Sequence, residues 1–113
     1  MIPVFILHPF KGSGDEREAN TSRIKRIAEG LAKMGYMPVS PIHAFGWLDD
    51  AKPLQREAGL DYSLRLLQMV LNQKGKVCVC ADIVQLLGSQ GCRAELQELL
   101  QWPEAKIISG VAE

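Results

Sequence analysis

The chain has 113 residues, the size of one small domain around one core, so a single domain over 1–113 is expected. Apolar residues make up 47% of it and charged residues 23%, a globular balance that argues against disorder. Thirteen basic residues offset 13 acidic ones with no basic stripe, which argues against binding a nucleic-acid polymer, and no apolar run is long enough to span a bilayer.

The N-terminal run Met1-Ile2-Pro3-Val4-Phe5-Ile6-Leu7-His8 lacks a basic region and a cleavage site, and reads as a first strand rather than a signal peptide. Three cysteines, Cys78, Cys80 and Cys92, are an odd count that fits free thiols in a reducing cytoplasm. Cys78 and Cys80 form C-x-C in an apolar run, where a strand would point both to one face. A metal would need two more ligands, and His8 and His43 sit in unrelated positions. Buried structural thiols are therefore expected, with no metal and no cofactor.

In chain order, Pro3 to His8 is a continuous apolar run that fits a strand buried on both faces of a parallel sheet. Phe10 to Glu18 reads as a polar loop. Ile24, Ile27, Ala28, Leu31 and Met34 then recur at helical spacing. Asn20, Thr21 and Ser22 are candidate caps at the start of this helix, and Gly35 fits the position after its end.

Tyr36 to Ser40 is a short second strand stopped by Pro41, and 42–53 is a long connection carrying His43, Phe45, Trp47, Asp49 and Asp50. Long connections in small domains are often functional; the alternative is a loop packed by its own Phe and Trp. A second helix runs from Pro53 or Leu54 to Asn72, with Leu60, Leu64, Leu67 and Leu71 as its stripe. Lys76 to Asp82 is a third, central strand, and a last helix-like run covers Glu95 to Trp102, with Leu96, Leu99 and Leu100 as its apolar side. Ala105 to Ser109 is the fourth strand. The order β-α-β-α-β-α-β predicts an α/β fold, a three-layer Rossmann- or flavodoxin-like doubly wound parallel sheet of 4-5 strands.

In such folds ligands bind beyond the carboxyl ends of the strands. The stretch Gly88-Ser89-Gln90-Gly91-Cys92-Arg93-Ala94-Glu95 follows the third strand. Gly91 allows close backbone approach, Ser89 is a candidate cap, and free amides there favour an anion. Glu95 is placed within about the first turn, where the positive helix end favours its ionised form. It reads either as a cap of its own helix or as a reactive carboxylate. His8 either contacts a ligand or ends its strand. Lys11 is a candidate phosphate contact, and the His43 loop reaches the same edge. Asp82 and Asp61 are candidate acids, with a strand-end carboxylate and a favourable early-helix acid as their ordinary readings.

Four segments in order resemble the nucleoside 2-deoxyribosyltransferase-like superfamily, most closely an uncharacterised branch of small bacterial and phage proteins. Phe5-Ile6-Leu7-His8-Pro9-Phe10-Lys11-Gly12 is similar to the first strand and its S-P-Y-R-G turn, and Gly35 to His43 to the second strand. Leu48-Asp49-Asp50 with Arg56-Glu57-Ala58-Gly59-Leu60 resembles the loop and second helix, and Gly88 to Glu95 the S-x-G-M-x-x-E turn. The resemblance implies an N-glycosidase or deoxyribosyltransferase acting on a nucleoside or nucleotide. Glu95 would attack the anomeric carbon, and Asp82 or Asp61 would assist the departing base. Ligand contacts would come from His8, Phe10, Lys11, Gly12, His43, Ser89 and Gly91. It also implies a homodimer.

The chain departs from that pattern at Leu71-Asn72-Gln73-Lys74-Gly75, where the branch carries a C-D pair, and Cys92 replaces the methionine. A missing acid supports a second reading, a non-catalytic nucleotide binder such as a sensor or sponge. A third is a small scaffold presenting Phe45 and Trp47.

Overall fold

The computed structural model describes residues 1–9, 14–49, 51–80 and 86–109. Among these residues four strands form one sheet: β1 (Pro3–Leu7), β2 (Met37–Val39), β3 (Lys76–Val79) and β4 (Lys106–Ser109). Their order across the sheet is β2-β1-β3-β4, and every pairing is parallel. Phe5 lies between Val39 and Val77, and Val77 in turn pairs with Ile107. The α/β class and the central place of β3 agree with the sequence pattern.

Continuous burial explains the first strand. All five residues of β1 are buried, and alternate side chains feed two cores. Val4 and Ile6, with Cys78 of β3, pack on Ile24, Ile27 and Leu31. These last three belong to α1 (Gly14–Lys33). Phe5, Leu7 and Val77 pack on Leu67, Val70, Leu71, Cys92 and Leu99 of the opposite layer, contributed by α3 (Pro53–Asn72) and α4 (Gln90–Leu99). Each fully buried aliphatic or aromatic side chain of this kind contributes about 1.5–3 kcal/mol relative to exposure.

Several boundaries differ from expectation. α1 begins at Gly14, so Asn20, Thr21 and Ser22 are interior and cap nothing. The Thr21 hydroxyl instead donates to the Arg17 carbonyl one turn back, at 2.8 Å. Met34, counted in the apolar stripe, is 58% exposed, because the helix has already ended. Gly35, at φ +88, closes it: Tyr36 N donates to Leu31 O and Gly35 N to Ala32 O, a Schellman motif. α3 ends the same way with a different residue. Lys74 takes the left-handed position at φ 59, while Gly75 N reaches Val70 O at 2.8 Å and Lys74 N reaches Leu71 O at 3.0 Å.

The 42–53 connection is not all loop. A short helix, α2 (Pro41–Phe45), opens it, capped by the Ser40 side chain. At the other end, α4 starts at Gln90, five residues before the expected onset, and Leu100 is 83% exposed. Among the described residues no helix is long and apolar enough to cross a membrane.

Candidate functional site

A cleft of about 130 Å³ opens beside the carboxyl end of β1, between α2, the N-terminal half of α3 and the start of α4. That volume is many times the ~10–15 Å³ that holds one water, so it is ligand-sized space. The sheet order reverses between β1 and β3, the switch point at which open parallel sheets form crevices. Ile6, Ile42, Phe45, Leu48 and Leu60 form its apolar walls.

Ser89 sets the geometry of α4. Its hydroxyl accepts from the Cys92 amide at 3.3 Å, in extended backbone at φ -105, and thereby fixes Gln90 as the first helical residue. Gly91 lines the cleft beside it. A Cβ there would meet Leu60 at 3.5 Å, ordinary contact, so Gly91 reflects no tight packing.

Glu95 is then the sixth residue of α4, in its second turn, where the helix-end field has faded. Its side chain lines the cleft at 7% exposure. Burial pushes its pKa up to about 8, since an ionised carboxylate loses its hydration among apolar neighbours. This corrects the expectation of an ionised carboxylate: near neutral pH Glu95 is mainly the acid. Cys92, one turn earlier, has its thiol raised to about 11, first by burial and next by the negative charge of Glu95, against a lowering hydrogen bond with Ser89. The second of these contributions exists only when Glu95 is ionised.

His8 also lines the cleft and is buried. Its Nδ1 lies 2.6 Å from the Pro9 carbonyl; a carbonyl only accepts, so Nδ1 carries the proton and, in the neutral ring, Nε2 is the acceptor. Phe45 faces the cleft and packs against Tyr62 of α3 in a tilted pair, ring centroids 5.4 Å apart at 51°. Trp47 stays outside at 73% exposure, its indole N–H donating to Ala44 O.

Other candidates fall elsewhere. Asp61 is the ninth residue of α3, not an early-helix acid; it pairs with Arg65 at 2.9 Å on the exposed side and is absent from the cleft lining. His43 is exposed, with Nδ1 3.1 Å from the Ser40 hydroxyl, and the cleft is lined by its neighbour Ile42 instead. Asp82, Phe10, Lys11 and Gly12, with Asp50, lie outside the described residues. Cys78 and Cys80 share a face, sulfurs 3.3 Å apart, and that contact lowers the Cys78 pKa against a raising effect of burial. Among the described residues no group of three or more His, Cys, Asp or Glu side chains is placed to hold a metal ion.

From α3 the sequence pointed to Asp61 as a site residue and not to the side chains that line the cleft. Arg56, Gly59, Leu60 and Ser63 line the cleft at spacings of three and four, one helix face. They continue the Leu67–Leu71 stripe toward the N-terminus, and the change from leucine to small and charged residues along that stripe was the available signal.

No curated protein matches the chain in sequence. In structure it is similar to a 2-deoxyribosyltransferase of the psychrotolerant bacterium Bacillus psychrosaccharolyticus, with a TM-score of 0.63 at 14% identity, over 98% of this chain and 74% of that one. At that identity the likeness is one of fold. The model of the family described as Domain of unknown function (DUF7768) matches residues 2–102, and the chain belongs to that family.

Proposed function

We propose that the protein is a nucleoside or nucleotide N-glycosidase, or a deoxyribosyltransferase, whose nucleophile is Glu95. The observation that carries this reading is the buried carboxyl of Glu95 in an apolar cleft at the switch point of a parallel sheet. The fold it shares with a 2-deoxyribosyltransferase supports it.

In the chemistry proposed, a Glu95 carboxylate oxygen bonds to the anomeric carbon as the C1′–N bond breaks. The base leaves with the bonding pair and takes up a proton from solvent, which is balanced by the proton that the attacking water or second base gives up in the next step. Water, or a second base, then attacks the same carbon and releases the carboxylate, two displacements that restore the original configuration. Desolvation serves the step: a poorly hydrated carboxylate is a stronger nucleophile, and the apolar walls keep bulk water from the ester. With a pKa of about 8, roughly a tenth of the protein holds the nucleophilic form at pH 7.

A non-catalytic binder is the second reading. Two observations favour it: Glu95 is mainly protonated at neutral pH, and Asp61 is turned away from the cleft. There the neutral carboxyl would exchange hydrogen bonds with a sugar hydroxyl.

Incubation with the common nucleosides and their 5′-monophosphates, following free base and thermal stabilisation together, tests both. Base release that Glu95→Gln lowers at least a hundredfold is expected for the enzyme. Stabilisation with no release marks the binder, and neither across the panel removes both readings.

A further inference from the structure

We infer that Arg56 is a specificity determinant that receives an anionic group of the ligand, so that the cleft takes a phosphorylated nucleoside in preference to the nucleoside. The inference rests on the nucleoside reading of the cleft and names the substrate class within it.

Arg56 is half-buried and lines the cleft on the fourth residue of α3. Its Nη2 donates to the Gln90 side-chain oxygen at 2.7 Å. That one bond uses one of five guanidinium donors, and the acceptor is a neutral amide. Among the described residues no carboxylate pairs with Arg56; the ion pair seen on α3 is Asp61 with Arg65, five and nine residues further along and on the exposed side.

The position adds a second argument. Gln90 is the first residue of α4, so the guanidinium is tied to the positive end of a helix. Acids, not cations, are stabilised there. A cation held against a helix start without an acid is an unfavourable juxtaposition that an incoming anion reverses, since both fields then act on the same charge. Ser89, Gln90 and Gly91 line the cleft at that point.

The other pole of the cleft is Glu95. It lies five residues, about 7.5 Å of helix rise, along α4 from Gln90. Among the described residues no ion pair joins the two, and the guanidinium is bound to Gln90 instead. The arginine is therefore not the internal partner of the glutamate. The two address different parts of one ligand, a sugar at Glu95 and an anionic substituent at Arg56. A planar guanidinium with free donors suits a phosphate, which it can bind through two parallel hydrogen bonds.

The test is calorimetric titration of the protein with each common nucleoside and its 5′-monophosphate, at low and at physiological salt, with inorganic phosphate as a further probe in thermal melts. The monophosphate is expected to bind at least tenfold tighter than its nucleoside, the gap narrowing with salt. In Arg56→Gln the ratio should fall to within about twofold of one, and Arg56→Lys should fall between. Equal binding of nucleoside and monophosphate by the wild type overturns the inference while leaving the nucleoside reading in place. If no nucleoside or nucleotide binds, the nucleoside reading fails instead. Stabilisation by phosphate that Arg56→Gln abolishes then still supports an anion site, and its absence overturns that too. A monophosphate preference that survives in Arg56→Gln places the anion elsewhere and overturns the assignment.

Discussion

The Ser89 hydroxyl accepts from the Cys92 amide at 3.3 Å, and this one cap decides where Glu95 sits. It starts α4 at Gln90 and carries the glutamate into the second turn, onto the buried face with Cys92 and Leu99. Ser89→Ala should cost about 1 kcal/mol in urea unfolding, the usual worth of such a cap. Ser89→Asp should be tolerated in stability, because aspartate caps equally well, yet it places a negative charge beside Arg56 at the cleft. The two substitutions therefore separate the cap from the ligand site.

Burial of Glu95 makes folding stability depend on pH. Its pKa is about 8 in the folded protein and near the ordinary carboxyl value of ~4.3 when unfolded. A raised folded-state pKa means that the native form binds the extra proton between these values, so stability falls as pH rises from about 4.5 to about 8. Glu95→Gln removes the titration while keeping shape. It should be more stable than the wild type by on the order of 3–4 kcal/mol at pH 7, by little near pH 4.5, and by the most above pH 8. Urea midpoints at pH 5, 7 and 8.5 measure this slope.

In the proposed reaction the same proton governs turnover. If the ionised form is the nucleophile, kcat/KM for base release should rise about tenfold per pH unit from pH 5 and level off near pH 8. A profile falling through the same range would identify the protonated carboxyl as the working form. Activity and stability thus move in opposite directions with pH, a trade common to buried catalytic groups.

The strands and the two core layers were readable because continuous apolar runs and i, i+3, i+4 stripes record burial directly: Val4 to Leu7, Ile24-Ile27-Leu31 and Leu67-Val70-Leu71 all occupy the core. The helix starts were less readable. Asn20, Thr21 and Ser22 look like caps, but such residues also occur inside helices when the hydroxyl bonds back, as Thr21 does to Arg17. Glu95 was found from its place in the chain, whereas its charge state was not. Sequence supplies the helix-end field, which falls off within a turn; the opposing effect is burial of the side chain, in a cleft whose apolar walls, Ile6, Ile42, Phe45, Leu48 and Leu60, are gathered from separate segments. Arg56 was not singled out as a site residue because its side-chain partner among the described residues, Gln90, is 34 residues away.

The end of α3 places two residues of opposite tolerance side by side. Lys74 is held at φ 59, a conformation that costs a non-glycine residue roughly 1–2 kcal/mol. Lys74→Gly should raise stability by about 0.5–1 kcal/mol after the added flexibility of the unfolded chain is counted. At the next position the order reverses. A Cβ on Gly75 would lie 2.5 Å from Val70 Cγ1 and 2.6 Å from Pro3 O, so Gly75→Ala should destabilise by roughly 1–3 kcal/mol as the start of β1 is pushed away. Thermal melts of the two variants beside the wild type check both signs.

The central claim is that Glu95 forms a bond to the sugar, and mass spectrometry of protein acid-quenched during base release reads that bond directly. The expected result is a population heavier by one pentosyl or phosphopentosyl group, located by peptide mapping to Glu95 and absent from Glu95→Gln. An adduct on any other residue, or base release by Glu95→Gln at the wild-type rate, would contradict the account.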